Sequence, residues 1–178
     1  MDINKKGAFV LWLTGLPCSG KTTIGQALYR EIKRRGLLVR HLDGDVVRKE
    51  VNKDLGFSKK DRDKNLEIVS SLAKKLNKQG VIVVASFVSP YKDQRERIRK
   101  KIENFIEIYI NAPLDVCEKR DVKGLYKRAR LGKIKNLTGI SDPYEAPEHP
   151  QLELKTDQES VRVNTNQVIA YLIKKGYL

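Results

Sequence analysis

Long apolar runs are absent from this 178-residue sequence, and cysteine, tryptophan and methionine are scarce. The longest apolar run, at residues 8–13, is far shorter than the roughly 20 residues that a membrane-spanning helix needs. No basic, apolar leader precedes that run. The two cysteines, Cys18 and Cys117, cannot build a disulfide framework, which is typical of a reducing compartment. We therefore expect a cytoplasmic protein with no membrane partner.

Aromatic residues are also few, at 7% of the chain, whereas the 36 Lys and Arg residues exceed the 22 Asp and Glu residues and give a net charge of +14. This excess favours an anionic partner: nucleic acid, an acidic membrane face or a phosphorylated small molecule. A nucleic-acid-binding module that uses a nucleotide as a switch would interleave basic residues with exposed aromatic residues. Here the aromatic residues fall mostly inside apolar runs, so the pattern disfavours nucleic acid.

Short apolar segments alternate with segments of helical period along the whole chain. The apolar segments predict strands at residues 9–13, 37–42, 81–85 and 105–110, and a short edge strand at 151–155. Helices are predicted at residues 21–35, from Ser58 to just before Gly80, in a turn that follows Pro113, and around Val168 to Ile173 near the end. Such alternation predicts a doubly wound α/β sheet in a single domain, residues 1–178, with ligands at the carboxyl ends of its strands.

The residues between the first strand and the first helix form a phosphate-binding motif. The sequence GLPCSGKT at residues 15–22 fits G-x-x-x-x-G-K-[ST] in full. In such a loop the main-chain N–H groups point at phosphate oxygens, the lysine reaches the β- and γ-phosphates, and the following hydroxyl ligates Mg²⁺. Lys21 and Thr22 hold these two positions. The residues expected to bind the nucleoside triphosphate are Gly15, Leu16, Pro17, Cys18, Ser19, Gly20, Lys21, Thr22 and Thr23.

Two carboxylates, Asp43 and Asp45, follow the second predicted strand. Beside a phosphate loop two acids can divide two tasks: one ligates Mg²⁺, directly or through water, and the other accepts the proton of an attacking hydroxyl. The alternative is an Asx-type turn that caps a helix.

The next candidate binding residues along the chain are Arg48, Phe57, Arg62 and Asn65. Guanidinium groups and an aromatic ring suit a second ligand that carries an oxyanion and a flat base. Taken singly, each is more often a solvated arginine or a core phenylalanine.

Block by block, the sequence resembles the adenylyl-sulfate kinases, a family of P-loop kinases. The similar blocks are residues 15–22, 43–48 (DGDVVR), 55–58 (LGFS), 61–65 (DRDKN), 86–91 (SFVSPY), 120–126 (RDVKGLY), 132–135 (GKIK), 138–140 (TGI) and 143–147 (PYEAP). They span nearly the whole chain, and the block at 120–126 is not a feature of P-loop kinases at large. The resemblance implies a P-loop NTPase fold, a doubly wound parallel sheet flanked by helices, with a mobile basic lid at about residues 121–150.

The resemblance implies that the γ-phosphoryl group of MgATP passes to the 3′-hydroxyl of adenosine 5′-phosphosulfate, giving 3′-phosphoadenosine 5′-phosphosulfate and ADP in sulfate assimilation. It places Asp45 where it receives the hydroxyl proton, with Lys21 and Ser89 as the other catalytic residues, and it leaves Asp43 and Thr22 for the metal. It also implies a homodimer. The implied substrate-binding residues are Asp45, Arg48, Phe57, Arg62, Asn65, Val88, Ser89, Lys123, Lys135, Asn136 and Leu137.

The role of Ser89 has two versions. The family pattern assigns a phosphoserine intermediate to the serine before Pro-Tyr, which is Ser89 here. Direct in-line transfer needs only positioning and charge stabilisation, so a substrate contact at the end of the third strand is the simpler role.

Two positions depart from the family pattern. Leu137 replaces a common phenylalanine that stacks on the substrate adenine opposite Phe57, and Ser141 replaces a common aspartate. Leucine covers a π-face by dispersion but lacks the aromatic geometry. A P-loop kinase that acts on a related nucleotide acceptor is therefore the alternative function.

The segment from residue 118 to 135 carries eight Lys or Arg residues and two acidic residues. Such a segment repels itself until anions arrive. We expect it to form a lid that closes over two polyanions and excludes water. The alternative is a solvated basic loop.

Overall fold

A computed structural model describes residues 7–44, 46–47 and 58–178. Its strands are β1 (Val10–Thr14), β2 (Val39–Asp43), β3 (Ile82–Ser86), β4 (Phe105–Asn111) and β5 (Leu152–Lys155). The helices that lie wholly within these residues include α1 (Lys21–Arg34), α2 (Lys59–Lys78), α3 (Lys92–Lys101), α4 (Leu114–Arg120), α5 (Leu125–Arg130) and α6 (Val161–Lys174).

All five strands lie in one parallel sheet with the order β2-β3-β1-β4-β5. From the central strand β1 the chain crosses to the edge strand β2, returns to β3 beside β1, and then continues on the other side with β4 and β5. The order therefore reverses at the carboxyl end of β1, where doubly wound sheets bind their ligands. This confirms the predicted fold class and the predicted edge strand.

Helices cover both faces of the sheet because alternate residues of β1 point to opposite sides. Leu11 and Leu13 pack with apolar residues of α1 and α6, whereas Val10 and Trp12 pack with those of α2 and α3. All four side chains are fully buried. Each such burial stabilises the fold by about 1.5–3 kcal/mol.

The strand boundaries of β2 and β3 differ from the prediction in a way that matters for the site. β2 starts at Val39, two residues later than predicted, and ends on Asp43 rather than Leu42. Its first predicted residues lie outside the ladder, and Leu38 is 70% exposed. The register pairs Asp43 with Ser86, the last residue of β3. Two polar side chains therefore end neighbouring strands at the ligand-binding edge.

The capping signal predicted at Ser58 is confirmed, because its hydroxyl accepts a hydrogen bond from the Asp61 amide at 3.2 Å. Such a cap contributes about 1 kcal/mol to a helix. The described helices include none with the length and apolar character that a bilayer crossing requires.

Candidate active site

The loop between β1 and α1 depends on its two glycines. A Cβ atom at Gly15 would lie 2.4 Å from the carbonyl oxygen of Ile110 and 2.8 Å from Oγ of Ser19. Gly20 has a φ of +102° and directly precedes α1. Side chains are therefore excluded where the loop crosses β4, and the helix begins from a backbone conformation that favours glycine.

Lys21 is buried, and its ammonium group bonds to the loop itself. Nζ donates to the carbonyl oxygen of Gly15 at 2.9 Å and to that of Leu16 at 2.5 Å. These bonds bring the positive charge back over the loop at the start of α1. The amides at this helix end also attract anions.

Thr22 and Asp43, the two predicted metal ligands, are adjacent. Oγ1 of Thr22 donates to Oδ2 of Asp43 at 2.6 Å. Hydroxyl and carboxylate oxygens are the ligands that Mg²⁺ prefers, and in phosphoryl-transfer sites it typically takes one or two protein ligands plus phosphate oxygens. The pair therefore fits a magnesium site. In the described part of the chain there is no group of three or more His, Cys, Asp or Glu residues that could hold a metal ion by themselves.

A cavity of about 720 Å³ opens at the carboxyl edge of the sheet around the phosphate loop. This volume lies within the range of sites for drug-sized ligands and cofactors. The predicted site residues that line it are Pro17, Cys18, Gly20, Lys21, Thr22, Thr23, Asp43, Arg62, Asn65, Val88, Ser89, Lys123, Asn136 and Leu137. Residues far apart in the sequence therefore meet in one place.

Other predicted site residues are not part of this lining. Gly15, Leu16 and Ser19 do not line the cavity, and Lys135 is exposed and outside it. Asp45, Arg48 and Phe57 lie outside the described residues.

One end of the cavity is formed by α2 and the segment that follows α5. Nη2 of Arg62 donates to the carbonyl oxygen of Asn136 at 2.6 Å and lies 3.8 Å from Oδ2 of Asp142. Oδ1 of Asp142 accepts a 2.7 Å hydrogen bond from the Tyr91 hydroxyl. Burial, together with this hydrogen bond, raises the pKa of Tyr91 to about 12. A buried, charge-paired arginine at this end suits an anionic group of a ligand.

Ser89, in the cavity wall, is held by hydrogen bonds from several directions. Its hydroxyl accepts from Nε1 of Trp12 and donates to Oγ1 of Thr14, both at 3.1 Å. Ser89 has a φ of +38°, which is unusual for a residue with a side chain. The side chain is buried and engaged by its neighbours, so its environment suits a fixed wall of the site.

The segment predicted as a lid rests on the phosphate loop. Tyr126 on α5 is fully buried, and its hydroxyl donates to the carbonyl oxygen of Pro17 at 2.9 Å. It packs with the apolar cluster that also contains Ala112, Cys117, Ala129 and Leu137. The segment thus contains a helix with a buried face, which the sequence did not predict because charged residues dominate this part of the chain.

Asp121 fixes the start of helix α5, in the segment predicted as a lid. The amides of Tyr126 and Lys127 donate to its carboxylate at 3.1 and 3.0 Å. Partial desolvation raises the pKa of Asp121, but the amides of Lys127, Tyr126 and Leu125 outweigh it and hold the pKa below its ordinary value. The carboxylate therefore stays ionised and ties α5 to the end of α4.

Ser141, one of the two departures from the family pattern, makes a hydrogen bond that orders the cavity wall. Oγ of Ser141 accepts from the Leu137 amide at 3.1 Å, and the Leu137 carbonyl accepts from the amides of residues 140–142. Leu137 is buried and lines the cavity. The tight turn at residues 137–142 therefore presents Leu137 to a ligand.

The residues at the other end of the cavity were not predicted from the sequence. Nη2 of Arg120 donates to the carbonyl oxygen of Thr156 at 2.7 Å, and Oγ1 of Thr156 donates to the carbonyl oxygen of Ser19 at 2.6 Å. Glu159, Val161 and Asn164 continue the lining. The position of Thr156 could have been inferred from the topology, because Thr156 directly follows β5 and parallel strands end at the same edge of a sheet.

Comparison with known proteins agrees with this geometry. Residues 7–155 match the family model described as adenylylsulphate kinase. The adenylyl-sulfate kinase of Halothermothrix orenii is 52% identical over 175 residues, which cover 98% of this chain and 94% of that protein. The adenylyl-sulfate kinase of Rippkaea orientalis is 48% identical over 174 residues, covering 98% and 96%.

A solved structure extends the likeness to three dimensions. The Mycobacterium tuberculosis APS kinase CysC, determined in complex with AMPPNP and APS, aligns with a TM-score of 0.90 at 38% identity. The alignment covers 94% of this chain and 98% of that one. The chain has a phosphate loop, a paired hydroxyl and carboxylate, and a two-ended cavity, and these relatives match it over nearly its whole length. It therefore belongs to the adenylyl-sulfate kinase family.

Proposed function

We propose that this protein transfers the γ-phosphoryl group of ATP to the 3′-hydroxyl of adenosine 5′-phosphosulfate, giving 3′-phosphoadenosine 5′-phosphosulfate and ADP. The observation that carries the proposal is one cavity with the phosphate loop between two different ends. One end has Arg62, Asn65 and Leu137, and the other has Arg120 and Thr156. Two nucleotides can therefore lie with their reacting groups over the loop.

We assign the end at Arg120 to the nucleoside of ATP. The triphosphate must lie along the phosphate loop with its γ-phosphate towards the acceptor. The Arg62 end holds the anion-binding arginine of the second ligand, so the ATP base occupies the opposite end. There Arg120 and Thr156 are already held against the back of the loop by the carbonyl oxygen of Ser19.

The phosphate loop and Lys21 stabilise the charge of the transferring group. Main-chain amides at the start of α1 bind the phosphate oxygens, and Nζ of Lys21 exchanges its bonds to loop carbonyls for bonds to phosphate. The main-chain amides are held by the loop before the ligand binds, and the lysine rearranges on binding, so little reorganisation is needed during transfer itself. Phosphoryl transfer has little covalent chemistry for the protein to perform, which makes such positioning the main contribution.

Thr22 and Asp43 would hold Mg²⁺ through their side-chain oxygens. The ion, when bound, neutralises negative charge on the phosphates. The protein's part is to fix the two ligands on rigid elements, the first turn of α1 and the last residue of β2.

Asp45 is assigned as the base that accepts the proton of the 3′-hydroxyl. It follows Asp43 by two residues in the sequence. Asp43 marks the end of β2 beside the cavity. The acceptor hydroxyl must meet the γ-phosphate at this edge of the sheet, where a general base is needed to accept its proton.

The acceptor nucleotide is assigned to Arg62, Asn65, Val88, Ser89, Lys123, Asn136 and Leu137, which line the cavity, together with Arg48 and Phe57. Arg62 supplies a fork for its phosphosulfate, and Leu137 supplies an apolar surface for its base. Lys135 is exposed outside the lining, so its assignment requires the lid segment to move when the acceptor binds.

We also propose that the lid at about residues 121–150 is mobile and excludes water when both nucleotides are bound. Arg128 and Lys123 line the cavity from this segment. Their positive charges repel each other until polyanions bind. Exclusion of water matters because water competes with the 3′-hydroxyl for the phosphoryl group.

An acceptor panel tests the proposed function. The protein is assayed for ADP release from ATP with adenosine 5′-phosphosulfate, AMP, shikimate, gluconate and no acceptor. We expect adenosine 5′-phosphosulfate to be preferred over each alternative, with the new phosphate on the 3′-oxygen by ³¹P NMR. Faster turnover with AMP would favour the alternative, a kinase for a related nucleotide.

Two further properties remain predictions. We propose a homodimer, which size-exclusion chromatography with light scattering measures directly. We also propose a cytoplasmic location, because both cysteines are free and the reaction consumes ATP.

A further inference from the structure

A buried arginine outside the cavity connects the acceptor wall to residues 143–148, at the end of the lid segment. Arg95 lies in the first turns of α3, is 3% exposed and does not line the described cavity. Nη1 donates to the carbonyl oxygen of Ser89 at 2.7 Å, and Nη2 donates to the carbonyl oxygen of Glu145 at 2.6 Å. Nε lies 3.1 Å from Oε1 of Glu107.

We propose that Arg95 is a positioning residue for the acceptor nucleotide. Its guanidinium fixes the main chain at Ser89 and fastens residues 143–148 to the same loop. This inference rests on the proposed function only in the identity of the acceptor.

Ser89 combines a positive φ with a place in the cavity wall. A non-glycine residue in this conformation costs about 1–2 kcal/mol, so neighbouring contacts must hold it there. The hydroxyl is held by Trp12 and Thr14, and the carbonyl oxygen is held by Arg95. Arg95 therefore helps to set the shape of the wall at residues 88–90.

Glu145 docks its segment on the same loop by several contacts. Its amide donates to the carbonyl oxygen of Pro90 at 2.8 Å, and Oε2 accepts from the Lys92 amide at 2.6 Å. Arg95 adds the bond to the Glu145 carbonyl and packs over the Tyr144 ring at 5.9 Å. Through Tyr144, whose hydroxyl lies 3.0 Å from Oγ1 of Thr14, the segment reaches the strand that precedes the phosphate loop.

Arg95 contributes hydrogen-bond geometry rather than charge. Glu107 is buried and already has a second cation, because Nη2 of Arg99 donates to its Oε2 at 2.7 Å. Buried ion pairs are often close to neutral for stability compared with apolar residues. Only a planar guanidinium can direct separate N–H groups at two carbonyl oxygens and a carboxylate together.

The test compares Arg95→Lys with Arg99→Lys. Lysine keeps the charge beside Glu107 but cannot hold both carbonyl oxygens in the fork geometry. For Arg95→Lys we expect the KM for adenosine 5′-phosphosulfate to rise at least about tenfold, with the KM for ATP within about twofold of the original protein. Arg99→Lys, which changes the other partner of Glu107, should leave both KM values within about twofold.

A second variant covers the case in which Arg95→Lys does not fold. The double variant Arg95→Met with Glu107→Gln removes the buried charge pair as a unit and keeps a hydrogen-bond acceptor for Arg99. The same rise in acceptor KM is expected, and circular dichroism and the melting temperature establish that the protein is folded.

The outcomes separate this inference from the proposed function. An unchanged acceptor KM in a folded Arg95 variant, equal rises of both KM values, or failure of both variants to fold would reject a positioning role. If the unmodified protein itself does not use adenosine 5′-phosphosulfate, the proposed function fails instead. The comparison is then made with the acceptor that the panel identifies.

Discussion

The hydroxyl of Thr22 lies 2.6 Å from Oδ2 of Asp43 and joins the first turn of α1 to the last residue of β2. The bond links the phosphate loop to the carboxylate that follows it by 21 residues. It places the hydroxyl and the carboxylate together at the edge of the sheet, where the proposed magnesium site requires hard oxygen ligands.

Loss of the Thr22 hydroxyl should impair transfer more than binding. For Thr22→Val we expect kcat to fall by about 10²-fold, because the proposed magnesium site would lose one of its two side-chain ligands. Thr22→Ser, which keeps the hydroxyl, should retain most of the activity and serves as the control. Steady-state kinetics at saturating Mg²⁺ measure both, and equal kcat values for the two variants would remove Thr22 from the metal site.

Ser89 should not carry the phosphoryl group. Its hydroxyl donates to Thr14 and accepts from Trp12 in a buried position, which leaves it poorly placed to attack ATP. For Ser89→Ala we expect activity to fall by about tenfold or less through loss of positioning, and no label on the original protein after incubation with γ-³²P-ATP. Stoichiometric labelling that the substitution abolishes would establish the phosphoserine route.

The stability of the protein should fall at alkaline pH in a way that depends on Tyr91. Burial raises the pKa of Tyr91 from its ordinary value of 10 to about 12 in the folded state. The folded state therefore favours the neutral hydroxyl. Its stabilising contribution is complete below pH 10 and is lost as the pH rises towards 12.

Comparison with Tyr91→Phe isolates this effect. The original protein should be more stable than Tyr91→Phe below pH 10, because the hydrogen bond to Asp142 is then intact. The difference should shrink between pH 10 and 12. Urea unfolding at several pH values measures it, and a difference that is constant or grows with pH contradicts the assignment.

Leu137→Phe should have opposite effects on binding and stability. A phenylalanine that stacks on the adenine should tighten acceptor binding by about 0.5–1.5 kcal/mol. Leu137 is buried against the cluster with Tyr126 and Ala129, so the larger ring should cost about 1–3 kcal/mol of folding stability. Calorimetric titration and thermal melting measure the two effects. Weaker binding of adenosine 5′-phosphosulfate would favour a different acceptor.

The parts of the fold that the sequence predicts are those encoded by neighbouring residues. The phosphate loop, the five strands and the cap at Ser58 each depend on residues a few positions apart, and the structure contains them. The end of β2 was misplaced by one residue because Leu42 is apolar and Asp43 is not, although both pair with β3. Pairing, rather than hydrophobicity, determines where that strand ends.

The parts that escaped prediction depend on contacts between distant segments. Arg120 and Thr156 are 36 residues apart, and Arg95 and Glu145 are 50 apart. Gly25 is another example, because a Cβ there would lie 2.5 Å from Oγ of Ser86 and 2.6 Å from Nε2 of His41. A glycine inside a helical pattern does not reveal which strand it approaches, since only the packed fold brings the two together.

The central claim is that the loop at Lys21 delivers the γ-phosphoryl group of ATP to a ribose hydroxyl held in the same cavity. Transfer of label from γ-³²P-ATP in the presence of adenosine 5′-phosphosulfate tests it most directly, with Lys21→Met as the comparison. The account predicts label on the 3′-oxygen of the sulfated nucleotide, and a rate at least about 100-fold lower for Lys21→Met. Label that appears only in inorganic phosphate, or equal rates for the two proteins, would contradict it.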